Sequence, residues 1–375
     1  GQITLIGEEP VQPYQRPPLS KAYLLGDMAL ERMFLRPETF YSENNIKLRM
    51  SARVDAINAS EQTILIGDET LHYDDLVLTT GSTPNRLPGS IGGALDGVFV
   101  VRDLADVDAM AARFVEGAKV LIVGGGYIGL EAASVASKLG LQVTLVEMAE
   151  RILQRVAAPE TSDFFRKLHS SHGVDLREGI GLDRLLGEDA VEGARLTDGT
   201  ELDVDFVIVG VGIAPASGLA IAAELIIENG IKVDAYGRTS DPHIWAAGDC
   251  TSLPYRGERI RLESVQNAID QAEAVACNML GAATPYVPKP WFWSDQYDTK
   301  LQIAGLNTGY DRIVIRDNGE GARSHWYYQG DTLLAVDAMN DPRAYMVGKR
   351  LIEADKSPDA AAIQDTSGDI KSLLR

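Results

Sequence analysis

The clearest pattern of apolar and polar positions lies at residues 119–147. The apolar run KVLIVG, at 119–124, is typical of a buried strand. The alternating run QVTLVE, at 142–147, indicates a second strand. Between them, apolar side chains recur at helical spacing, at Ile128, Ala132, Val135 and Leu139. The pattern therefore predicts a strand, a helix and a second strand in succession.

Glycines stand at GxGxxG spacing where the first strand meets the helix. Gly124 permits the tight turn, Gly126 lets the backbone approach a pyrophosphate, and Gly129 allows the helix to pack closely on the strand. The helix N-terminus offers free N–H groups and the positive end of its dipole to the phosphates. We therefore predict an NAD(H) site that includes Gly124, Gly126, Tyr127, Ile128 and Gly129.

Glu147 ends the second strand, where an acid accepts hydrogen bonds from the adenosine ribose. The next three residues supply no cation before Arg151, so a 2′-phosphate would face carboxylates. The pattern favours NADH over NADPH.

Three further stretches predict strands of the same architecture, at 72–89, 205–216 and 241–250. The glycines of the second are expected to let the backbone close over a nicotinamide. Residues at or near the ends of these strands are Thr80 and Gly81, then Gly210, Val211 and Gly212, then Asp249. Strands that alternate with helices indicate an α/β fold with parallel sheets.

A long helix is predicted after the last of these strands. Its apolar face contains Val265, Ala268, Ile269, Ala272, Ala276 and Met279. Beyond a proline-rich linker, the β-type runs LQIAGL, RIVIR, SHWYYQG and TLLAVDAMN predict a separate α+β domain.

Composition narrows the function classes. The 375 residues favour two or three domains, and a net charge of −19 disfavours nucleic acid and anionic membrane as partners. Apolar runs too short to span a membrane predict a cytoplasmic protein. Cys250 and Cys277 are expected to be free thiols in a core, and His169 and His172 to lie on a helix surface, so no metal site is predicted.

Together these motifs resemble the flavin-dependent, NADH-using ferredoxin reductases that serve cytochrome P450 and aromatic-ring dioxygenase systems. The similarity rests on PYQRPPLSKAYLLG at 13–26, GGGYIGLE at 124–131, AAGDC at 246–250, ESVQNA at 263–268 and PWFWSDQY at 290–297.

The resemblance implies two Rossmann-like domains, with the NAD domain inserted in the FAD domain, and a C-terminal α+β domain. The FAD domain would comprise 1–103 and 226–284, the NAD domain 104–225 and the C-terminal domain 285–375. It also implies bound FAD, NADH as the donor and a transiently bound [2Fe-2S] ferredoxin as the acceptor.

Several residues take roles from this resemblance. Lys21, expected in the first turn of a helix, would lie beside flavin N5 and pair with Glu131, which would border the nicotinamide. A cation at that end of a helix indicates an anionic partner. Trp293 would lie at the flavin edge on the ferredoxin side. Further FAD contacts are implied at Asp249, at the helix start formed by Ser264 and Val265, at Thr80, Gly81 and Arg102, and at the backbone of Val54.

The first strand, ITLIGEE at 3–9, resembles the second strand of a dinucleotide-binding unit, yet the GxGxxG half expected before it is missing from this sequence. Either the sequence starts after that half, or the polypeptide binds FAD poorly. We favour the first alternative, in which Glu8 is the acid at the adenosine ribose, although Gly7 aligns with Glu147.

Other classes share the scaffold. Disulfide oxidoreductases and NADH oxidases use a cysteine in the region that here reads PYQRPPLSKAY, which contains none. A rubredoxin or nitrite reductase component would differ mainly in its acceptor. A flavoprotein NADH sensor would differ in its slow turnover.

Overall fold

The computed structural model describes residues 1–319 and 321–375. Within these ranges the α-helices are α1 (Glu38–Glu43), α2 (Leu104–Ala111), α3 (Tyr127–Lys138), α4 (Pro159–Ser171), α5 (Gly218–Ala222), α6 (Val265–Met279), α7 (Pro342–Glu353) and α8 (Ala360–Gln364). Short 3-10 helices span Pro17–Ser20, Leu30–Arg32, Gly89–Ile91 and Ile370–Leu374. None of the described helices has both the length and the apolar character that a membrane span needs.

The strands follow in chain order. They are β1 (Ile3–Ile6), β2 (Ile46–Arg49), β3 (Ala56–Asn58), β4 (Thr63–Ile66), β5 (Glu69–His72), β6 (Leu76–Leu78), β7 (Ser82–Pro84), β8 (Val98–Phe99), β9 (Lys119–Val123), β10 (Gln142–Glu147), β11 (Asp175–Glu178), β12 (Leu182–Leu186), β13 (Gly193–Leu196), β14 (Glu201–Asp203), β15 (Phe206–Val209), β16 (Ile213–Pro215), β17 (Ile231–Lys232), β18 (Ile244–Ala246), β19 (Thr251–Tyr255), β20 (Glu258–Ile260), β21 (Trp291–Gln296), β22 (Thr299–Gly305), β23 (Arg312–Asp317), β24 (Arg323–Gln329) and β25 (Thr332–Met339).

The chain folds into two compact units. The first contains Gly1–Arg16, Met28–Thr83 and Ile213–Pro290, and the second contains Pro17–Asp27, Pro84–Gly212 and Trp291–Arg375. Residues 213–225, which the sequence analysis assigns to the NAD domain, lie in the first unit. The predicted domain limits remain a proposal.

The first unit is built from small sheets. β1 pairs in parallel with β2, and β6 pairs in parallel with β18, so that Leu78 lies opposite Ala246. β3, β4 and β5 form an antiparallel sheet, and β19 pairs with β17 and β20. Because β6 and β18 are parallel, the loops at their carboxyl ends, which carry Thr80 and Asp249, leave the same edge of the sheet.

The second unit contains the parallel sheet that residues 119–147 predict. Its strand order is β11-β10-β9-β15-β8, and α3 connects β9 to β10. The central strands are buried nearly throughout, since helices and loops cover both faces of a parallel sheet.

The C-terminal part of the second unit is an antiparallel sheet in the order β21-β22-β25-β24-β23, with α7 packed on it. Trp326, Val336 and Leu351 lie in its core. The predicted fold class, α/β with parallel sheets and an α+β C-terminal part, is confirmed.

One predicted helix faces the core with a different side. Ser264 caps α6 as expected, but the predicted apolar face is partly exposed, with Val265 at 38% and Ile269 at 46%. The buried side chains are instead Asn267, Gln271, Val275 and Asn278. The oxygen Oε1 of Gln271 accepts hydrogen bonds from the backbone of Gly248 (2.9 Å) and the hydroxyl of Thr251 (3.1 Å). This largely polar face of α6 is turned inward because Gln271 satisfies buried hydrogen-bonding groups of the neighbouring loop.

Candidate functional site

The turn at the start of α3 contains two kinds of glycine position. At Gly124 and Gly129 only glycine fits, whereas at Gly126 the space beside the backbone is open. Gly124 has φ +108°, and a methyl group there would lie 2.4 Å from the carbonyl oxygen of Gly210. A methyl group at Gly129 would lie 2.1 Å from the carbonyl oxygen of Gly124. At Gly126, the N-cap of α3, a methyl group would meet nothing within 4 Å. The N-terminus of α3, which no side chain caps, is therefore clear of neighbouring segments at Gly126, as the approach of a phosphate requires.

The residues expected beside this turn are close to it. Tyr127 and Ile128 begin α3, where Tyr127 is half-buried with its hydroxyl shielded from solvent, and Ile128 is 42% exposed. Val211 is 40% exposed, and Gly212 has φ +96°. The structure thus brings the predicted NAD(H) residues to one edge of the parallel sheet.

Glu147 is tied to the glycine turn by its carboxylate. Oε2 accepts a hydrogen bond from the backbone N–H of Gly125 (2.7 Å), and Oε1 accepts one from that of Ala149 (2.8 Å). Arg151, the first cation after the strand, donates to the hydroxyl of Ser162 and to the carbonyl of Gln154. Arg151 is therefore not folded over the carboxylate of Glu147.

Lys21 and Glu131 form a largely buried ion pair. Lys21 Nζ lies 3.0 Å from Glu131 Oε1, and Glu131 is only 3% exposed. The hydroxyl of Ser20 donates to Oε2 (2.8 Å), and the hydroxyl of Ser294 donates to Oε1 (2.7 Å). Burial raises the pKa of Glu131 above its ordinary value, while Lys21 and the two hydroxyls act to lower it. The predicted pairing is present, and Glu131 is not a solvated helix residue.

The expectation that Lys21 opens a helix is wrong. The 3-10 helix Pro17–Ser20 ends just before it, and the N–H of Lys21 donates to the carbonyl of Pro18. A cation is favoured at this end of a helix, so the helix dipole gives no reason for an anionic partner. The anion is supplied by Glu131.

Trp293 lies on β21 beside this pair. Lys21 Nζ is 5.8 Å from the centre of its ring and 3.9 Å from Oδ2 of Asp295. Trp291 is 5.5 Å away, ring centre to ring centre, and both indoles are half-buried. The aromatic group and the cation thus share one site.

The first unit holds another set of predicted residues. The hydroxyl of Ser82 donates to Oδ2 of Asp249 (3.1 Å), and the hydroxyl of Thr80 donates to the carbonyl of Ala216 (2.7 Å). Gly81 has φ +67°, a conformation that glycine adopts without strain. Ser264 accepts from the N–H of Asn267 (3.1 Å) at the start of α6. A carboxylate acceptor and a solvent-accessible helix N-terminus are groups that suit FAD.

Three predicted residues are not grouped with these sets. Glu8 is exposed and lies 3.3 Å from Arg53. Val54 is half-buried against the core of the first unit. Arg102 lies in the second unit, where its backbone N–H donates to Asp106 (3.0 Å) at the entry to α2.

Sequence reasoning missed several residues of the ion-pair site. Ser20 and Ser294 were not predicted, and His169, expected on a helix surface, is fully buried and contacts Gln296. The surface expectation is wrong for His169, which contacts Gln296 of β21, whereas His172 is exposed as expected. The alternation of β21 was a usable signal, since Ser294 and Gln296 must share one face of a strand.

Known proteins are similar to this chain in sequence and fold. The chain matches the family described as pyridine nucleotide-disulphide oxidoreductase over residues 1–272 and the reductase C-terminal family over residues 291–374. It is 43% identical to a ferredoxin–NAD(P)(+) reductase of a Sphingomonas species, over 94% of this chain and 87% of the relative. It is 41% identical to the 5,5'-dehydrodivanillate O-demethylase ferredoxin reductase subunit of a Sphingobium species, over 100% of this chain and 92% of the relative.

A solved structure is also similar to this chain in both fold and sequence. A chain of the covalent putidaredoxin reductase–putidaredoxin complex is 38% identical, with a TM-score of 0.96, over 100% of this chain and 92% of that chain.

Proposed function

The chain belongs to the pyridine nucleotide-disulphide oxidoreductase family, and from that premise we propose that it passes electrons from NADH through FAD to a [2Fe-2S] ferredoxin. The ferredoxin would supply a cytochrome P450 or an aromatic-ring dioxygenase. The protein is an oxidoreductase, and the ferredoxin reductases among its relatives support this acceptor.

The observation that carries the proposal is the turn before α3. The open space at Gly126 lies at an uncapped helix N-terminus, and the carboxylate of Glu147 is held at the end of the adjacent strand. In a dinucleotide site, the pyrophosphate lies at such a helix N-terminus and the adenosine ribose lies at an acid that ends the second strand. They support a pyridine nucleotide as the electron donor.

Bound FAD supplies the chemistry that joins a two-electron donor to a one-electron acceptor. The residues proposed to hold FAD are Asp249, the backbone near Gly81, and the start of α6 at Ser264. Lys21 is the cation proposed to favour the reduced, more negative flavin, and Glu131 positions its ammonium. Trp293 is proposed to face the ferredoxin.

Neither cysteine is suited to carry electrons through a thiol or a disulfide. Cys250 is buried, and burial raises the pKa of its thiol, so it forms a thiolate poorly. Cys277 is exposed, contrary to the expectation of a core position, and lies on α6. Neither residue lies in the segment 13–23, where a disulfide oxidoreductase would need its cysteine.

The donor is tested by placing a methyl group where the pyrophosphate is proposed to approach. Gly126→Ala should fold normally, because no protein atom lies within 4 Å of the new methyl, yet raise KM for NADH about tenfold or more by steric exclusion. The matched control is Gly218→Ala, which also has open space and no positive φ. Equal KM values in the two variants would contradict the nucleotide assignment.

The acceptor is tested with the FAD-loaded protein, NADH and cytochrome c as the final electron sink. Adding a [2Fe-2S] ferredoxin should increase cytochrome c reduction at least about tenfold, and a rubredoxin should not replace it. If rubredoxin were the better acceptor, the rubredoxin reductase alternative would hold. Slow turnover with every carrier would favour the NADH sensor.

The finer choice of NADH over NADPH rests on Glu147. A 2′-phosphate would meet its carboxylate, and Arg151 is held by Ser162, so we expect at least about a hundredfold preference for NADH in kcat/KM, about 2.7 kcal/mol. Glu147→Gln, which removes the charge and keeps an acceptor oxygen, should narrow that ratio. Steady-state kinetics with both nucleotides provides the measurement. An unchanged ratio would remove Glu147 from this role.

A further inference from the structure

Within the second unit, a row of buried hydrogen bonds leads away from Glu131. The hydroxyl of Ser294 contacts Glu131 Oε1 (2.7 Å), and Nε2 of Gln296 contacts Ser294 Oγ (3.1 Å). Oε1 of Gln296 contacts Nε2 of His169 (2.8 Å), and the hydroxyl of Tyr297 lies 3.4 Å from His169 Nδ1. Ser294 and Gln296 lie on β21, and His169 lies in the last turn of α4. The row therefore joins three elements that are distant in the sequence.

The carboxylate end determines the direction of every bond. An ionised Glu131 can only accept, so the single proton of the Ser294 hydroxyl must point to it. The Ser294 oxygen must then accept, which requires the amide nitrogen of Gln296 on that side. The oxygen of Gln296 consequently faces His169, whose Nε2 must carry a proton.

The histidine end agrees with this direction. His169 is fully buried, and burial lowers its pKa to about 4, opposed by the Gln296 bond and reinforced by His172, so the ring is neutral near pH 7. A neutral ring with its proton on Nε2 leaves Nδ1 as an acceptor for the Tyr297 hydroxyl. Every donor in the row points toward Glu131.

The row is shielded from bulk water. Ser294, Gln296 and His169 are each 0% exposed, so losing one link leaves a buried polar group unpaired. The side chain of Lys21 is 18% exposed, and its Nζ is held mainly by the same carboxylate, with Asp295 3.9 Å away. The position of Lys21 thus depends on Glu131 being ionised.

We propose that His169, Gln296 and Ser294 form a polarised hydrogen-bond chain that positions the Glu131 carboxylate and, through it, the ammonium of Lys21 for flavin reduction. The three are positioning residues. This inference rests on the proposed function, since it gives a purpose to the Lys21 charge.

A graded set of variants tests the chain in the FAD-loaded protein. The readout is the pH dependence of the flavin reduction potential, in which titration of Glu131 produces a change of slope that Glu131→Gln removes. Loss of a donor to the carboxylate raises its pKa. Ser294→Ala should therefore shift the change of slope upward by about one pH unit, Gln296→Leu by about half a unit, and His169→Leu by less.

Two controls separate positioning from packing. His169→Gln keeps a donor toward Gln296 and should restore the wild-type titration, whereas His169→Leu should not. Ser134→Ala removes a different bond between α3 and the end of β21, from the Tyr297 N–H to Ser134 Oγ (2.7 Å), and should leave the titration unchanged. Equal shifts in Ser134→Ala and Ser294→Ala would overturn the proposal, as would the absence of any change of slope in the wild-type protein.

A direct measurement requires neither NADH nor ferredoxin. The side-chain ¹⁵N resonances of His169, assigned by comparison with His169→Gln, should report a neutral ring protonated on Nε2 at pH 7. A proton on Nδ1 would overturn the chain, whatever the results for Ser294→Ala and Gln296→Leu. Failure of the proposed function is visible separately, as the absence of ferredoxin-dependent cytochrome c reduction.

Discussion

Two buried carboxylates of the second unit, Glu131 and Asp337, differ in what surrounds them. Glu131 has an ammonium at 3.0 Å and two hydroxyl donors. Asp337, 1% exposed, accepts from the hydroxyls of Thr161 (2.8 Å) and Tyr327, and no cation among the described residues offsets its burial. Burial raises the pKa of Asp337 to about 6, and the two hydroxyls only partly oppose it.

The difference shows what an ion pair contributes that hydroxyls do not. Hydroxyls allow a buried carboxyl to gain or lose its proton within the normal pH range, while a cation favours one charge state. A buried ion pair seldom adds stability relative to an apolar pair of the same volume. We infer that the Lys21–Glu131 pair is kept for electron transfer, whereas Asp337 ties α4 to the C-terminal sheet.

The largest expected effect comes from removing the cation. Lys21→Met leaves Glu131 buried without its partner, which should lower the free energy of unfolding by about 3–5 kcal/mol at pH 8. Because the folded pKa of Glu131 would rise further, the loss should shrink as the pH falls toward the ordinary glutamate range. Urea unfolding at pH 8 and pH 5 measures the loss of unfolding free energy and its dependence on pH.

Two variants check that explanation. Lys138→Met removes an exposed lysine of α3 and should change stability by less than about 0.5 kcal/mol. Lys21→Met combined with Glu131→Gln removes both charges and should recover most of the stability but not ferredoxin reduction. Recovery of neither would show that the ion pair is structural, as we infer for Asp337.

The next effect concerns the proton of Asp337. Its folded pKa, about 6, lies above the ordinary value of 3.8, so its contribution to stability is full below about pH 4 and is lost as the pH rises through 6. His169 and His325, with pKa values lowered to about 4 mainly by burial, act oppositely and lose stability as the pH falls from 6.5. Asp337→Asn should therefore lose more stability than wild type between pH 6 and 4, by about 2–3 kcal/mol.

Unfolding curves at several pH values provide that measurement, with Asp341→Asn as a second buried aspartate for comparison. Parallel curves for wild type and Asp337→Asn across this range would contradict a pKa near 6.

The smallest effect sharpens the role of the hydroxyls. Thr161→Val removes the hydroxyl that donates to Asp337 and should cost about 1–3 kcal/mol at pH 8, where the carboxyl is charged, and less at pH 5. Thr161→Ser keeps the hydroxyl and should retain the wild-type pH dependence. A loss in Thr161→Val that is independent of pH would mean that the hydroxyl acts through its contact with His325 rather than through the charge on Asp337.

Much of this fold was readable because its signals are local. The strand, helix and strand at 119–147 follow from the periodicity of apolar residues. The tight turn at Gly124 and the close packing at Gly129 follow from the spacing of the glycines. The Lys21–Glu131 pair followed from family resemblance. What surrounds Glu131 did not, because Ser20 and Ser294 are 111 and 163 residues away in the chain.

The inner face of α6 was misjudged for a related reason. Sequence periodicity identifies apolar positions, but the loop that carries Gly248 and Thr251 requires hydrogen bonds that Gln271 provides. Such a requirement exists only after the loop and the helix have met. Polar residues in a core are therefore the part of a site that a pattern of apolar residues predicts least well.

The hairpin of β21 and β22 limits how this protein can change over evolution. Gln296 pairs with Thr299, so Tyr297, at φ +55°, and Asp298 are the whole connection between the strands. Inserting or deleting a single residue within β21 would exchange the two faces of the strand beyond that point. Ser294 would leave Glu131, and Trp293 would turn inward. Relatives that keep this chemistry should therefore accept many substitutions in β21 but very few changes in its length.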